Sequence, residues 1–105
     1  MFRITQFMQE IARPTPLMPK RNPPGPVVIW NLVRRCNLAC KHCYSISADT
    51  DFPGELTTDE VFAVMDDLKR FRVPVLILSG GEPLLRPDIY AIARRAKDMG
   101  FYVAL

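Results

Sequence analysis

Apolar positions recur along the chain in two rhythms, and their order predicts an alternation of strands and helices. Ile4, Phe7, Met8 and Ile11 fall at i, i+3, i+4 and i+7, so residues 2 to 12 are predicted to form a short amphipathic helix packed on the body of the protein. Six prolines between Pro14 and Pro26 exclude a helix there and predict an extended surface connector. Val27-Val28-Ile29-Trp30-Asn31-Leu32-Val33 is mostly apolar and β-branched, which predicts a strand buried on both faces of a parallel sheet, with Trp30 in the core. Thr57 followed by Glu60 is a capping box, and Val61, Val64, Met65, Leu68 and Phe71 trace the buried stripe of a helix running to about Arg70. Asp59, Glu60, Asp66 and Asp67 lie mostly off that stripe and read as its solvated face, the first two also suiting a helix N-terminus. Val75-Leu76-Ile77-Leu78 is a second short strand. Pro87 suits the first turn of a second helix, whose stripe of Ile89, Ile92, Ala93 and Ala96 stops at Gly100, and residues 101–105 begin a third strand.

Strand, helix, strand, helix, strand is the order of an α/β fold with parallel strands and crossover helices. The expected organisation is an N-terminal amphipathic helix over residues 1–13, a proline-rich linker over 14–26 and an α/β unit over 27–105. Two and a half β/α units cannot close a barrel, for which about 250 residues are typical. The expectation is therefore a truncated α/β unit whose last strand leaves an unpaired edge.

Composition narrows the class. Of 105 residues, 49% are hydrophobic and 24% charged, which excludes a disordered tail. The net charge of +3 is dispersed, so no nucleic-acid partner is expected, and it is compatible with an acidic substrate. No stretch has the length of an apolar membrane span, and the N-terminus lacks an apolar core followed by a cleavage site, so a reducing cytoplasmic setting is expected.

The chemistry is concentrated in Cys36-Asn37-Leu38-Ala39-Cys40-Lys41-His42-Cys43, which holds all three cysteines. Close-spaced thiolates suit an iron–sulfur cluster or zinc. Three of them can hold three irons of a cubane and leave the fourth iron without a ligand from this loop. Zinc would have to recruit His42, directly beside Cys43, as a fourth ligand, and an odd cysteine count argues against a disulfide framework. Arg34 and Arg35 precede the loop as a solvated pair, the alternative being charge compensation near an anionic centre. Ser79-Gly80-Gly81-Glu82-Pro83 follows the second strand, at the end where parallel α/β folds carry their sites. Paired glycines there admit close backbone approach to a ligand.

The cysteine array and the Gly-Gly-Glu-Pro loop together resemble the signature of the radical S-adenosylmethionine (SAM) superfamily. That resemblance implies the N-terminal portion of a partial (β/α)6 TIM-like barrel. It implies a 4Fe–4S cluster on Cys36, Cys40 and Cys43, with SAM chelating the fourth iron and splitting, on one-electron reduction, to methionine and a deoxyadenosyl radical. It also implies that Gly80, Gly81 and Glu82 meet the SAM amino group, that Pro83 fixes their loop, and that His42 takes the place of the usual aromatic residue near the adenine. Tyr44 is expected to pack rather than line the SAM pocket.

Longer stretches, namely residues 22–31, Cys40-Lys41-His42-Cys43-Tyr44-Ser45, Pro53-Gly54-Glu55-Leu56-Thr57 and residues 71–78, resemble the haem d1 biosynthesis radical SAM family of denitrifying bacteria. This second resemblance implies removal of propionate side chains from a didecarboxysirohaem-type tetrapyrrole, with a flavodoxin or ferredoxin as electron donor. A haem decarboxylase of the alternative pathway, a peptide-modifying enzyme and a non-catalytic metal-binding fragment are the other readings. The 105-residue chain alone is expected to turn over little.

Overall fold

A computed structural model describes residues 8, 9, 11, 12 and 25–105. Most of the predicted N-terminal helix and proline-rich linker lies outside those residues. Within them, Ala12 N–H donates to Met8 O at 3.1 Å, a helical bond. Met8 and Ile11 are exposed, so these two members of the stripe do not pack on the body as expected.

The remainder runs β1 (Val27–Val33), α1 (Thr58–Arg70), β2 (Val75–Gly80), a single 3-10 turn (Pro83–Leu85), α2 (Ile89–Asp98) and β3 (Tyr102–Ala104). The three strands form one parallel sheet in the order β1-β2-β3, the α/β arrangement predicted from the sequence. Val27 pairs with Val75 and Asn31 with Ser79, after which the register slips and Val33 pairs with Gly80. That irregularity falls where β1 gives way to the cysteine segment.

Both helices cover the same face of the sheet. Val61 and Met65 of α1, and Ile89, Ile92 and Ala96 of α2, join Leu32, Leu76 and Leu78 in one buried cluster, with Val28, Trp30 and Val103 packed against it. The largest fully buried side chains among the described residues are Met65, Leu76, Leu78, Ile89, Ile92 and Val61, and each contributes about 1.5–3 kcal/mol by leaving water. The opposite face carries Val27 and Ile29, 57% and 62% exposed. β1 therefore alternates between covered and open positions, and the expectation of burial on both faces is corrected. A uniformly apolar run fixes what a strand is made of, not what covers it.

Local chemistry sets the helix ends. The capping box forms as predicted: Glu60 N–H donates to Thr57 Oγ1 at 3.4 Å, and Thr57 N–H donates to Glu60 Oε2 at 2.8 Å. That Thr57 N–H bond, with the Thr57 hydroxyl also donating to Glu60 Oε2 at 2.9 Å, holds the Glu60 carboxyl below its ordinary value. α1 stops one residue before Phe71, which is 74% exposed instead of joining the stripe. There Arg72 turns to φ 59, with Arg72 N–H bonding Lys69 O and Val73 N–H bonding Leu68 O. This Schellman pattern swings Phe71 off the buried side. α2 ends the same way at Gly100, φ 83, through Gly100 N–H to Lys97 O and Phe101 N–H to Ala96 O. Pro87 lies just ahead of the N-cap Asp88 instead of inside the helix.

Candidate functional site

β1 delivers the chain into the cysteine loop, and the loop is closed at its stem. Arg35 forms a parallel bridge with Ala48, and Cys36 N–H donates to Ala48 O at 3.0 Å. Cys36 is thus buried at the base of an excursion that carries Cys40, His42 and Cys43 into solvent. Leu38 N–H points at Cys36 Sγ across 3.4 Å, and Cys43 N–H donates to Cys40 O at 3.2 Å. All three thiols are free. Among the described residues, no three His, Cys, Asp or Glu side chains converge as metal ligands would, so the loop gathers the cysteines in sequence without bringing their sulfurs together. The donor set nevertheless fits a cluster. It offers three soft thiolates on one short loop, one already accepting the backbone N–H bond that tunes cluster sulfurs.

The second motif is fastened to the stem of the first. Gly81 N–H donates to Val33 O at 2.7 Å, and Glu82 N–H donates to Arg35 O at 2.9 Å, one residue before Cys36. Both glycines are demanded by this approach. A Cβ on Gly81 would lie 2.3 Å from Arg35 O; one on Gly80, at φ 148, would lie 2.2 Å from Val33 O. Glu82 caps the turn that follows, its Oε1 accepting Leu84 N–H at 3.0 Å, and Pro83 opens that turn. The cysteine stem and the Gly80-Gly81-Glu82-Pro83 loop are therefore in direct backbone contact, and His42 stays exposed on the outer part of the loop.

Neither arginine ahead of the cysteines is simply solvated. Arg34 N–H donates to Glu55 Oε1 at 2.8 Å and its guanidinium lies 4.2 Å from the Phe52 ring centroid. Arg35 pairs with Asp49 at 3.0 Å and Asp51 at 3.1 Å, and Asp49, with Asp51 beside it, raises its pKa. The pair holds the segment that returns from the cysteine loop. Tyr44 does not pack as expected. It is 72% exposed, and its hydroxyl bonds Asn31 Oδ1 at 3.2 Å and Ser79 Oγ at 3.0 Å, spanning the ends of β1 and β2.

One residue escaped the sequence reading entirely. Arg86 is buried, 7% exposed, and donates to Leu32 O at 3.0 Å, to Leu56 O at 2.8 Å and to both oxygens of Asp88. Asp88 also accepts the Thr58 hydroxyl at 2.6 Å. Burial pushes the Asp88 carboxyl up, but the Arg86 and Thr58 bonds outweigh it, and the net shift is downward. This engagement explains why Asp88 makes no side-chain cap bond to α2. Arginine is so seldom buried that neither composition nor periodicity marked the pair.

Comparison with known proteins accords with this geometry. The family model of the radical SAM superfamily matches residues 30–105. The chain is 55% identical, over its whole length, to the pre-heme d1 synthase of Dinoroseobacter shibae, of which it covers 26%. It is 49% identical over 71% of its length to the Fe-coproporphyrin III synthase of Methanosarcina barkeri, covering 19% of that protein. It is 44% identical over 60% of its length to the mycofactocin maturase of Mycobacterium tuberculosis, covering 16%. The chain thus spans about a quarter or less of the length of these relatives. No solved structure matches it. With both signature motifs inside the matched span and in backbone contact, the chain belongs to the radical SAM superfamily.

Proposed function

We propose that this chain is the cluster- and SAM-binding portion of a radical SAM enzyme of haem d1 biosynthesis. Cys36, Cys40 and Cys43 would hold a 4Fe–4S cluster, which when bound would supply one electron for reductive cleavage of SAM. Gly80, Gly81 and Glu82 receive the SAM amino group, Pro83 fixes their loop, and His42 lies along the adenine. The observation that supports this reading is the double backbone tie of Gly81 to Val33 and Glu82 to Arg35, which brings the Gly80-Gly81-Glu82 loop to within one residue of Cys36.

The chain's own residues do the positioning. The stem bond from Cys36 N–H to Ala48 O holds the first thiol at the sheet end, while Cys40 and Cys43 lie exposed on the outer turn, joined by the bond from Cys43 N–H to Cys40 O. The contact of the two loops fixes the backbone of Glu82 beside that of Arg35, one residue before Cys36.

The substrate assignment is a didecarboxysirohaem-type tetrapyrrole, from which propionate side chains are removed. Its support is 55% identity across the whole chain to a pre-heme d1 synthase. A flavodoxin or ferredoxin would supply the electron, in the cytoplasm of a denitrifying cell. No helix among the described residues is long and apolar enough to cross a membrane. The 49% identity to a Fe-coproporphyrin III synthase favours a second haem-precursor reaction as the alternative.

The test is anaerobic reconstitution of the full-length protein that contains this chain. EPR of the dithionite-reduced protein, with and without SAM, comes first. Incubation with didecarboxysirohaem and with Fe-coproporphyrin then follows, with product masses read. A cluster signal that shifts with SAM, together with propionate loss from didecarboxysirohaem alone, is expected. A protein that takes up zinc and no iron would sink the radical reading, and the appearance of Fe-coproporphyrin as the product from didecarboxysirohaem would move the reaction to the alternative.

A further inference from the structure

We propose that Arg86 is a positioning residue for SAM, setting the distance between the cysteine stem and the Gly80-Gly81-Glu82 loop; this rests on the SAM-binding reading above. The guanidinium joins three segments: β1, the segment that returns from the cysteine loop, and the helix starts. Through Leu32 O it grips β1 one residue before Val33, whose own carbonyl receives Gly81 N–H. Through Leu56 O it grips the segment returning from the cysteine loop, next to Glu55, whose carboxylate receives Arg34 N–H. Through Asp88, and Asp88 through Thr58, it ties both to the starts of α2 and α1. Arg86 itself follows the turn capped by Glu82 and donates its own N–H to Pro83 O at 3.1 Å. One planar fork therefore fixes the strand entering the cysteine loop, the segment leaving it and the loop facing SAM.

A buried ion pair is a weak source of net stability, because desolvation offsets the attraction. What a five-donor fork supplies is geometry: its planar N–H groups reach two carbonyls and a carboxylate at once, which a lysine ammonium cannot do. The register slip of β1 between Asn31 and Val33 lies beside the Leu32 carbonyl that Arg86 holds. Loss of that grip frees the slipped segment to shift against Gly80 and Gly81.

The experiment uses the reconstituted full-length protein, wild type beside Arg86→Lys and Asp88→Asn. Iron content, thermal unfolding and SAM affinity from an EPR titration of the reduced cluster are measured on each. Arg86→Lys is expected to keep its iron but weaken SAM affinity by about tenfold or more, the worth of one charged hydrogen bond that a lysine cannot make. Asp88→Asn, which leaves the arginine in place, is expected to weaken it by about fivefold, the worth of one hydrogen bond. A folded Arg86→Lys protein with wild-type SAM affinity and only a lower unfolding temperature would overturn the inference, leaving Arg86 a fold element. Should Arg86→Lys fail to fold, Asp88→Asn decides in the same way. A wild type that loads iron without responding to SAM overturns the SAM-binding reading, and this inference with it.

Discussion

Gly81→Ala tests the contact on which the site depends. The new methyl would sit 2.3 Å from Arg35 O and 2.7 Å from Arg34 O. Even a favourable carbon–oxygen contact needs about 3.3 Å, so the loop must withdraw by about 1 Å. The colliding atoms are backbone, so no side chain can swing aside. Withdrawal by that distance stretches the bonds from Gly81 N–H to Val33 O and from Glu82 N–H to Arg35 O, now 2.7 and 2.9 Å, beyond hydrogen-bonding range. Losing both costs about 1 kcal/mol each, and residual overpacking brings the total to about 2–4 kcal/mol. Urea unfolding of the cluster-free protein reads the stability, and a SAM titration of the reconstituted protein reads the site. Both should fall, affinity by about tenfold or more, because Glu82 moves with the loop. An alanine variant with the wild-type unfolding midpoint and SAM affinity would refute the claim that the two loops touch. Gly80→Ala should be worse, since its φ of 148 adds backbone strain to a 2.2 Å collision.

Replacing Cys36, Cys40 or Cys43 singly by Ser should abolish the reduced-cluster EPR signal and most bound iron after reconstitution; a variant retaining full iron would remove that residue from the ligand set. Thr57→Ala removes a capping box in which both bonds are present and should lower stability by about 1 kcal/mol, read by urea unfolding, with SAM affinity unchanged. Asp88 supplies a pH dependence. Its carboxyl titrates lower folded than unfolded, so its contribution is fully present above the unfolded value of about 3.9 and is lost as pH falls through the folded value. Unfolding midpoints of the cluster-free protein should fall below about pH 4, and Asp88→Asn should flatten that part of the curve; an unchanged slope would mean that the carboxylate gains nothing from Arg86 and Thr58.

Local signals in the sequence survived folding because they are local. The Thr57–Glu60 box, the strand limits at Val27 and Val33 and the stop at Gly100 each rest on neighbours within a few residues, and each appears where expected. The two motifs were legible as residue types, but their contact was not, since Gly81 meets Arg35 only after the sheet has aligned β1 with β2. Phe71 satisfied the helical period, yet the chain leaves the helix there through Arg72 in a conformation usually reserved for glycine. Arg34 and Arg35 looked like a solvated pair because their partners, Phe52, Asp49 and Asp51, lie beyond a loop whose closure at Ala48 carries no periodic signal. Arg86 was invisible for a related reason: burial of a charge is decided by carbonyls from Leu32 and Leu56, both distant in sequence.

The bond from Cys36 N–H to Ala48 O, with the Arg35–Ala48 bridge beside it, holds the two ends of the intervening stretch together, and Tyr44 fastens its middle to β1 and β2, so that the part beyond Tyr44 is the least tied to the scaffold. Chain entropy then makes its length inexpensive to change, since doubling a closed loop adds only about 0.6 kcal/mol. Residues 46 and 47, beyond the last cysteine and before the closing bridge, are therefore the place where extra residues can be accepted without disturbing strand register. The stem makes loop length and sheet geometry separately variable, so the rim of the site can be rebuilt on an unchanged frame.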